Sequence, residues 1–315
     1  MRVRMAAVAE LREVLLRAFP GCIVTGYEEL SGGVSARAIA ARVVLAGGET
    51  SHVVVRRPSA AHAAESLRLA RSEHAVLSRC AAWGIRAPRA CYLDERSAAL
   101  VLEFVPGAVD FAPPSLAGML EQMAEALARV HAVGAGAELG FLRSRNENAA
   151  RNILASPQQL DQSLNEAGLR ARLRALWPWR QHNPDALLHG DYWPGNLLWR
   201  DGELVCILDW EESELGDPLA DVAIARLDLL WAFGQAAMDE FTCRYRERTS
   251  LDWRQLAKWD LCVALRPMGQ LPRWASVYAT PPISRPDVTA STMAAGHRDF
   301  VAQALRSLAG EGSAP

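Results

Sequence analysis

The feature that most constrains this chain is a dense polar loop set between two apolar runs. Leu188-His189-Gly190-Asp191-Tyr192-Trp193-Pro194-Gly195-Asn196-Leu197-Leu198 is followed shortly by Ile207-Leu208-Asp209-Trp210. An Asp, an Asn five positions later and a second Asp at the end of the next strand form a demanding order of residues. Asp191 is a carboxylate suited to orienting a hydroxyl group and accepting its proton, and Asn196 and Asp209 are hard oxygen donors of the kind magnesium takes. An ordinary surface turn accounts for one such side chain, but poorly for three at these spacings after apolar runs.

The flanking pattern divides the chain. Ile23–Leu30, Ala38–Leu45 and Ser51–Arg56 are short Val/Ile/Leu-rich runs separated by Ser31-Gly32-Gly33 and Ala46-Gly47-Gly48, which predicts strands joined by turns. A helix is expected from about Ser59 to Trp83, ending at Gly84, and then two more strands at Ala90–Leu93 and Ala98–Phe104. Beyond Pro106-Gly107 the pattern turns helical: Leu116, Leu120, Met123, Leu127 and Val130 recur at helical spacing, as do Leu160, Leu164 and Leu169 more loosely. Leu197–Arg200 and Leu204–Leu208 read as a strand pair across Asp201-Gly202. Asp217-Pro218 reads as the start of an apolar, buried helix to about Phe233. Further helices are expected near Trp253–Leu265 and Val288–Leu308. The N-terminal stretch reads as an amphipathic helix with Val8, Leu11, Leu15 and Phe19 on one face, since Glu10, Arg12, Glu13 and Arg17 interrupt any signal-peptide core. The expectation is an α+β protein with a small β-rich N-terminal lobe (residues 1–104), a hinge near Phe104–Gly107 and a larger helical C-terminal lobe (residues 105–315).

The Asp-to-Asn gap of the loop is that of kinase catalytic loops, in which phosphoryl transfer needs a base for the attacking hydroxyl and magnesium to neutralise charge on the transferred group. Here the chain resembles the aminoglycoside phosphotransferase family, bacterial kinase-like enzymes that include relatives of choline and homoserine kinases. The resemblance runs from roughly Leu30 to Phe233 and is carried by HGDYWPGN, ILDW and GDPLAD. It implies a bilobal protein-kinase-like fold, ATP and Mg2+ as cofactors, Asp191 as catalytic base, and Asn196 and Asp209 as metal ligands. Protein kinases match less well. The loop reads His-Gly-Asp rather than His-Arg-Asp, the metal strand ends Asp-Trp rather than Asp-Phe-Gly, and no Ala-Pro-Glu follows.

Three further segments fit the same scheme. Ser31, Gly32, Gly33 and Val34 lie in a turn whose glycines let backbone amides approach phosphates, although Gly-Gly between strands is also an ordinary hairpin turn. Glu73 shares a helical face with Leu69, Val76 and Cys80, so its carboxylate points where apolar side chains point and needs a partner. Kinase folds supply a Lys from the third strand, yet the only lysine here is Lys258, far too late in the chain, and Arg56 is assigned the role. An ordinary surface ion pair is the plainer alternative. Leu102–Gly107 matches the hinge where adenine stacks, with backbone groups of Glu103 and Val105 facing its edge; a strand ending at a proline turn reads the same way.

Asp217 and Asp221 open the buried helix; one of them is expected to anchor the catalytic loop, while Asp217 also reads as a helix cap. His189 is expected to brace the loop, His131 to be a satisfied core histidine, and the tryptophans to be mostly core. The chain has 315 residues, a formal net charge of -2 and six scattered cysteines without a C-x-x-C pair. This points to a cytoplasmic enzyme with reduced thiols and gives no electrostatic reason for nucleic acid or membrane binding. The expected partner is a small hydroxylated substrate. Glu211, Glu212 and Glu214 suit either a cationic acceptor such as an aminoglycoside or a solvated loop, and the Arg56-Arg57-Pro58 similarity hints at hydroxyacyl acceptors. The alternative to an enzyme is an inactive kinase-like module that binds nucleotide, a reading encouraged only by Arg56.

Overall fold

A computed structural model describes residues 2–30, 36–58, 63–134 and 139–311. The chain divides into two compact units, Met1–Gly107 with Val205–Glu211, and Ala108–Leu204 with Glu212–Pro315.

The smaller unit opens with α1 (Arg2–Ala18) and continues through β1 (Ile23–Glu29), β2 (Ala36–Val44), β3 (Thr50–Pro58), α2 (Ala63–Cys80), β4 (Ala90–Asp94) and β5 (Ala99–Glu103). The strands form one antiparallel sheet in the order β1-β2-β3-β5-β4. Alternation along the strands sends successive side chains to opposite faces. Ile39, Ala41, Val43, Val53, Val55, Ala99 and Val101 pack with Leu11, Val14 and Leu15 of α1. Arg56 and Leu100, on the other parity, line a small hollow with Ser66, Leu69 and Glu73 of α2. Helices on both faces explain why β5 is apolar and buried from Ala99 to Leu102 rather than alternating. Val205–Glu211 joins this unit through the Ile207 N–H, which donates to Arg86 O at 2.7 Å.

The larger unit holds α3 (Leu116–His131), β6 (Arg143–Ser144), α4 (Arg145–Leu154), α5 (Glu166–Leu176), β7 (Ala186–Leu188) and β8 (Leu197–Arg200). After β9 (Glu203–Ile207), which passes into the smaller unit, come β10 (Glu214–Gly216), α6 (Leu219–Phe233), α7 (Gln235–Glu247), α8 (Leu256–Val263), α9 (Leu271–Ala279) and α10 (Ala290–Glu311). Ser115 caps α3 with its hydroxyl, and its Leu120, Met123, Leu127 and Val130 are fully enclosed. Helix α6 is buried on nearly every side, as its sequence demands.

Some boundaries differ from the sequence pattern. Residues 160–165 form turns rather than helix: Asp161 accepts from the amide and hydroxyl of Ser163, and Asn165 is left-handed at φ 51°, so α5 begins only at Glu166. Helices α4, α7 and α9 were not legible as separate elements; α7 is split from α6 by Gly234 at φ 88°. Described helix α2 starts at Ala63, residues 59–62 lying outside the described set.

Candidate phosphotransfer site

In the larger unit β7 delivers the chain into His189-Gly190-Asp191, and a short 3-10 turn, Pro194–Asn196, follows before β8. The loop is pinned from beneath by Asp221 in the first turn of α6. Its carboxylate accepts the His189 N–H at 2.6 Å and the Gly190 N–H at 2.9 Å. Burial opposes ionisation of Asp221, but the hydrogen bond from His131 and these amides hold its carboxyl below the usual aspartate range. His131 Nε2 lies 3.3 Å from Asp221, and its Nδ1 lies 2.6 Å from the Tyr245 hydroxyl, so the histidine is satisfied within the core. Gly190 sits at φ 83°, and a Cβ there would collide with the Glu212 carbonyl oxygen. Asp217 caps α6 by accepting the Leu219 amide at 3.0 Å and takes a second bond from Asn183. Of the two aspartates, Asp221 is thus the loop anchor.

Asp191 and Asn196 come together. Asn196 Nδ2 donates to the Asp191 backbone carbonyl at 2.9 Å and to its Oδ2 at 3.1 Å. Both amide hydrogens are thereby committed, which makes Oδ1 the atom that Asn196 can offer a metal. His189 is expected to brace the loop through its backbone, which its amide does at Asp221; its side chain adds to this, Nδ1 accepting the Asp191 amide at 3.2 Å.

In the smaller unit Arg56, Glu73 and Asp209 come together. The terminal nitrogens of Arg56 pair with Glu73 and with Asp209, and a third pair reaches Glu211 at 2.8 Å. Burial works against the charge on Arg56, but the three carboxylates outweigh it and keep the guanidinium ionised. Glu73 is 2% exposed; burial and the neighbouring Glu211 push its carboxyl up, against the pull of Arg56. Asp209 adopts a left-handed backbone at φ 63°, a conformation seldom taken outside glycine and often found at functional positions. One guanidinium thus faces three carboxylates, and among the described residues no group of three or more His, Cys, Asp or Glu side chains is arranged to hold a metal ion.

Glu103 ends β5 with its amide donating to Arg89 O at 2.9 Å, and Val105 follows two residues on. Ser31, Gly32, Gly33 and Val34 lie outside the described residues.

The acidic run after β9 is only partly solvated: Glu212 is exposed, but its two neighbours in the run are not. Glu211 is bound to Arg56, and Glu214, 3% exposed, accepts from Arg145 at 3.1 Å and Asn148 at 2.7 Å. Two residues escaped the sequence pattern altogether. Arg266, in the turn after α8, pairs with Asp191 and lies 3.9 Å from Asp228 of α6. Nothing distinguishes Arg266 from the other arginines in sequence. Asp228 lies two helical turns beyond Asp221, on a mostly apolar helix that also carries Arg226.

A β-sheet unit with an Arg–Glu pair across strand and helix, and a helical unit with an anchored His-Gly-Asp loop, define a protein-kinase-like fold of the aminoglycoside phosphotransferase type. The chain belongs to the phosphotransferase enzyme family, whose model matches residues 27–259. Among solved structures it is similar to the macrolide 2'-phosphotransferase MphH of Brachybacterium faecium (20% identity, TM-score 0.59, covering 94% of this chain and 97% of that one). It is similar also to a thermostable mutant of the aminoglycoside phosphotransferase APH(4)-Ia, solved as a ternary complex with AMP-PNP and hygromycin B (19% identity, TM-score 0.60, covering 95% and 98%). A third is the aminoglycoside phosphotransferase APH(3'')-Id of Streptomyces rimosus (22% identity, TM-score 0.56, covering 82% and 98%). Over 195 residues the chain is 27% identical to acyl-CoA dehydrogenase family member 10 of Mus musculus; the match takes in 56% of this chain and 18% of that relative's length.

Proposed function

We propose that this chain is an ATP- and magnesium-dependent phosphotransferase whose acceptor is a hydroxyl group of a small molecule. The observation that carries this reading is the setting of Asp191: a carboxylate on a loop whose preceding amides are fixed by Asp221 and whose side chain is braced by Asn196. When bound, Mg-ATP supplies the transferable phosphoryl group and the charge that neutralises it. Asp191 orients the acceptor hydroxyl and takes its proton at a carboxylate oxygen. Asn196 Oδ1 and the Asp209 carboxylate are the magnesium ligands of this reading. Arg56, held by Glu73, is the cation for the nucleotide phosphates, where related folds use a lysine. The backbone of Ser31, Gly32, Gly33 and Val34 covers the phosphates, and the Glu103 carbonyl and Val105 amide meet the adenine edge. All six cysteines are free thiols, in keeping with work in a reducing cytoplasm.

Two of the similar structures act on different antibiotic classes by name, so acceptor identity is left to experiment. A thermal-shift screen of hydroxylated metabolites and antibiotics, run with a non-hydrolysable ATP analogue with and without magnesium, should raise the melting temperature for true ligands by mass action. Turnover with each hit then tests transfer. Magnesium-independent nucleotide binding with no transfer to any alcohol would replace the enzyme by an inactive nucleotide-binding module.

A further inference from the structure

From Leu188 to Trp199 the catalytic loop holds no lysine or arginine. A carboxylate that must sit close to a polyanionic phosphate would there face repulsion with no nearby cation on its own segment. The chain meets this from a distance. Arg266 reaches Asp191 across a sequence separation of 75 residues and donates to its Oδ1. Its other side is held by Asp228 Oδ2 at 3.9 Å and by the Trp274 ring, whose centroid lies 6.0 Å from the guanidinium carbon. Oδ2 of Asp191 is meanwhile held by Asn196 at 3.1 Å.

The terminal torsion of an aspartate is soft and broad, so a single tether leaves the plane of the carboxylate free to turn. Two donors on the two oxygens fix that plane. Each carboxylate oxygen keeps further acceptor capacity, so the group remains able to take a proton while so held.

We propose that Arg266 is the positioning residue of the reaction, setting the plane of the Asp191 carboxylate from outside the catalytic loop and screening it from the phosphate, with Asp228 and Trp274 holding Arg266 in place. The proposal rests on the reading of Asp191 as the base. Arg266 touches neither nucleotide nor acceptor in it; the role runs through Asp191.

The test uses the full chain as wild type, Arg266→Gln and Arg266→Lys, with three readouts. These are hydrolysis of Mg-ATP with water as acceptor, carbodiimide-driven coupling of glycine ethyl ester to Asp191 mapped by mass spectrometry, and thermal melting. Arg266→Gln should lower kcat by about 100-fold, the scale set by loss of a reacting group's alignment, with KM for ATP changed by less than about threefold. Added guanidinium ion should restore part of that kcat, and Asp191 should label faster than in wild type. Arg266→Lys keeps the charge but not the fork and should fall between the two; it decides the matter should the glutamine variant fail to fold. An Arg266→Gln enzyme with kcat close to wild type overturns the proposal, as does a loss that guanidinium leaves unrestored and that comes with unchanged labelling of Asp191. Wild-type protein that turns over no ATP while Arg266→Gln still labels faster overturns the phosphotransfer reading instead, and Arg266's part in it, while upholding the pairing itself.

Discussion

Arg56 of β3 and Glu73 of α2 form an ion pair within the smaller unit, and the same guanidinium also holds Asp209 and Glu211. Strand, helix and the segment after β9 are thus tied by one cation. Such a cation gathers carboxylates that would otherwise repel one another and orients one of them, Asp209, for further work.

Arg56→Met removes the guanidinium that pairs with three carboxylates. Breaking a buried pair by deleting one partner costs about 3–5 kcal/mol, because the partner charge is left uncompensated. Denaturant unfolding should show a loss on that scale. Arg56→Lys should lose less but still fall short of wild type, since the three donors of an ammonium diverge from a single nitrogen, whereas the guanidinium meets Glu73 from one nitrogen and Asp209 and Glu211 from the other. A methionine variant as stable as wild type would show the cluster to be without energetic consequence.

Asp191→Asn removes the proton acceptor while keeping shape and the bond from Asn196. Transfer should fall by roughly 100-fold to 10,000-fold, the range of general-base contributions, with nucleotide binding close to wild type and a lower melting temperature, because the ion pair with Arg266 is lost. Retention of full activity would show that the base has been assigned wrongly.

Gly190→Ala tests the loop backbone. The φ of 83° strains any L side chain, and the new methyl group would run into the Glu212 carbonyl, which is backbone and cannot swing away. Thermal melting should drop by several degrees, and the Asp221 bond to the Gly190 amide should loosen, seen as faster hydrogen exchange at residues 189–191. Unchanged exchange and melting would refute the described loop geometry.

Asp228 gives a pH dependence. Burial, opposed by Arg266 and reinforced by Asp191, pushes its carboxyl up to about 7. Tyr278 also faces this group. A folded-state value above the unfolded one means that Asp228 favours folding below the ordinary aspartate range and that this contribution is lost as pH rises through about 7. A shift of this size is worth roughly 4 kcal/mol before any relaxation of the surroundings. Asp228→Asn should therefore flatten the fall in stability between acid and neutral pH and be more stable than wild type at pH above about 7. Urea midpoints across this window measure it; parallel curves for the two proteins would contradict the upward shift of the Asp228 carboxyl.

Much of the site was legible because its chemistry is packed into short sequence. Asp191 and Asn196 are five residues apart on one loop, so local geometry alone brings their side chains together. Glu73 announced its need of a partner by lying on an apolar helical face, and of the two arginines on the third strand Arg56 is the one that meets it, while Arg57 pairs with Glu10. The acidic run misled for the opposite reason: Glu211 and Glu214 look solvated until Arg56 and Arg145 arrive from elsewhere in the chain. Residues 160–165 misled because a loose leucine spacing does not reveal that Asp161 will turn back on Ser163.

The sequence by itself determined the strand-rich and helix-rich halves, the position of the loop and the burial of α6, since periodicity and local spacing are properties of neighbouring residues. Only the tertiary structure decided that Val205–Glu211 packs with the sheet unit, that Asp221 rather than Asp217 anchors the loop, and that Arg266 answers Asp191. Those outcomes are pairings between distant segments, and a guanidinium carries no mark in sequence of the carboxylate that folding will bring to it.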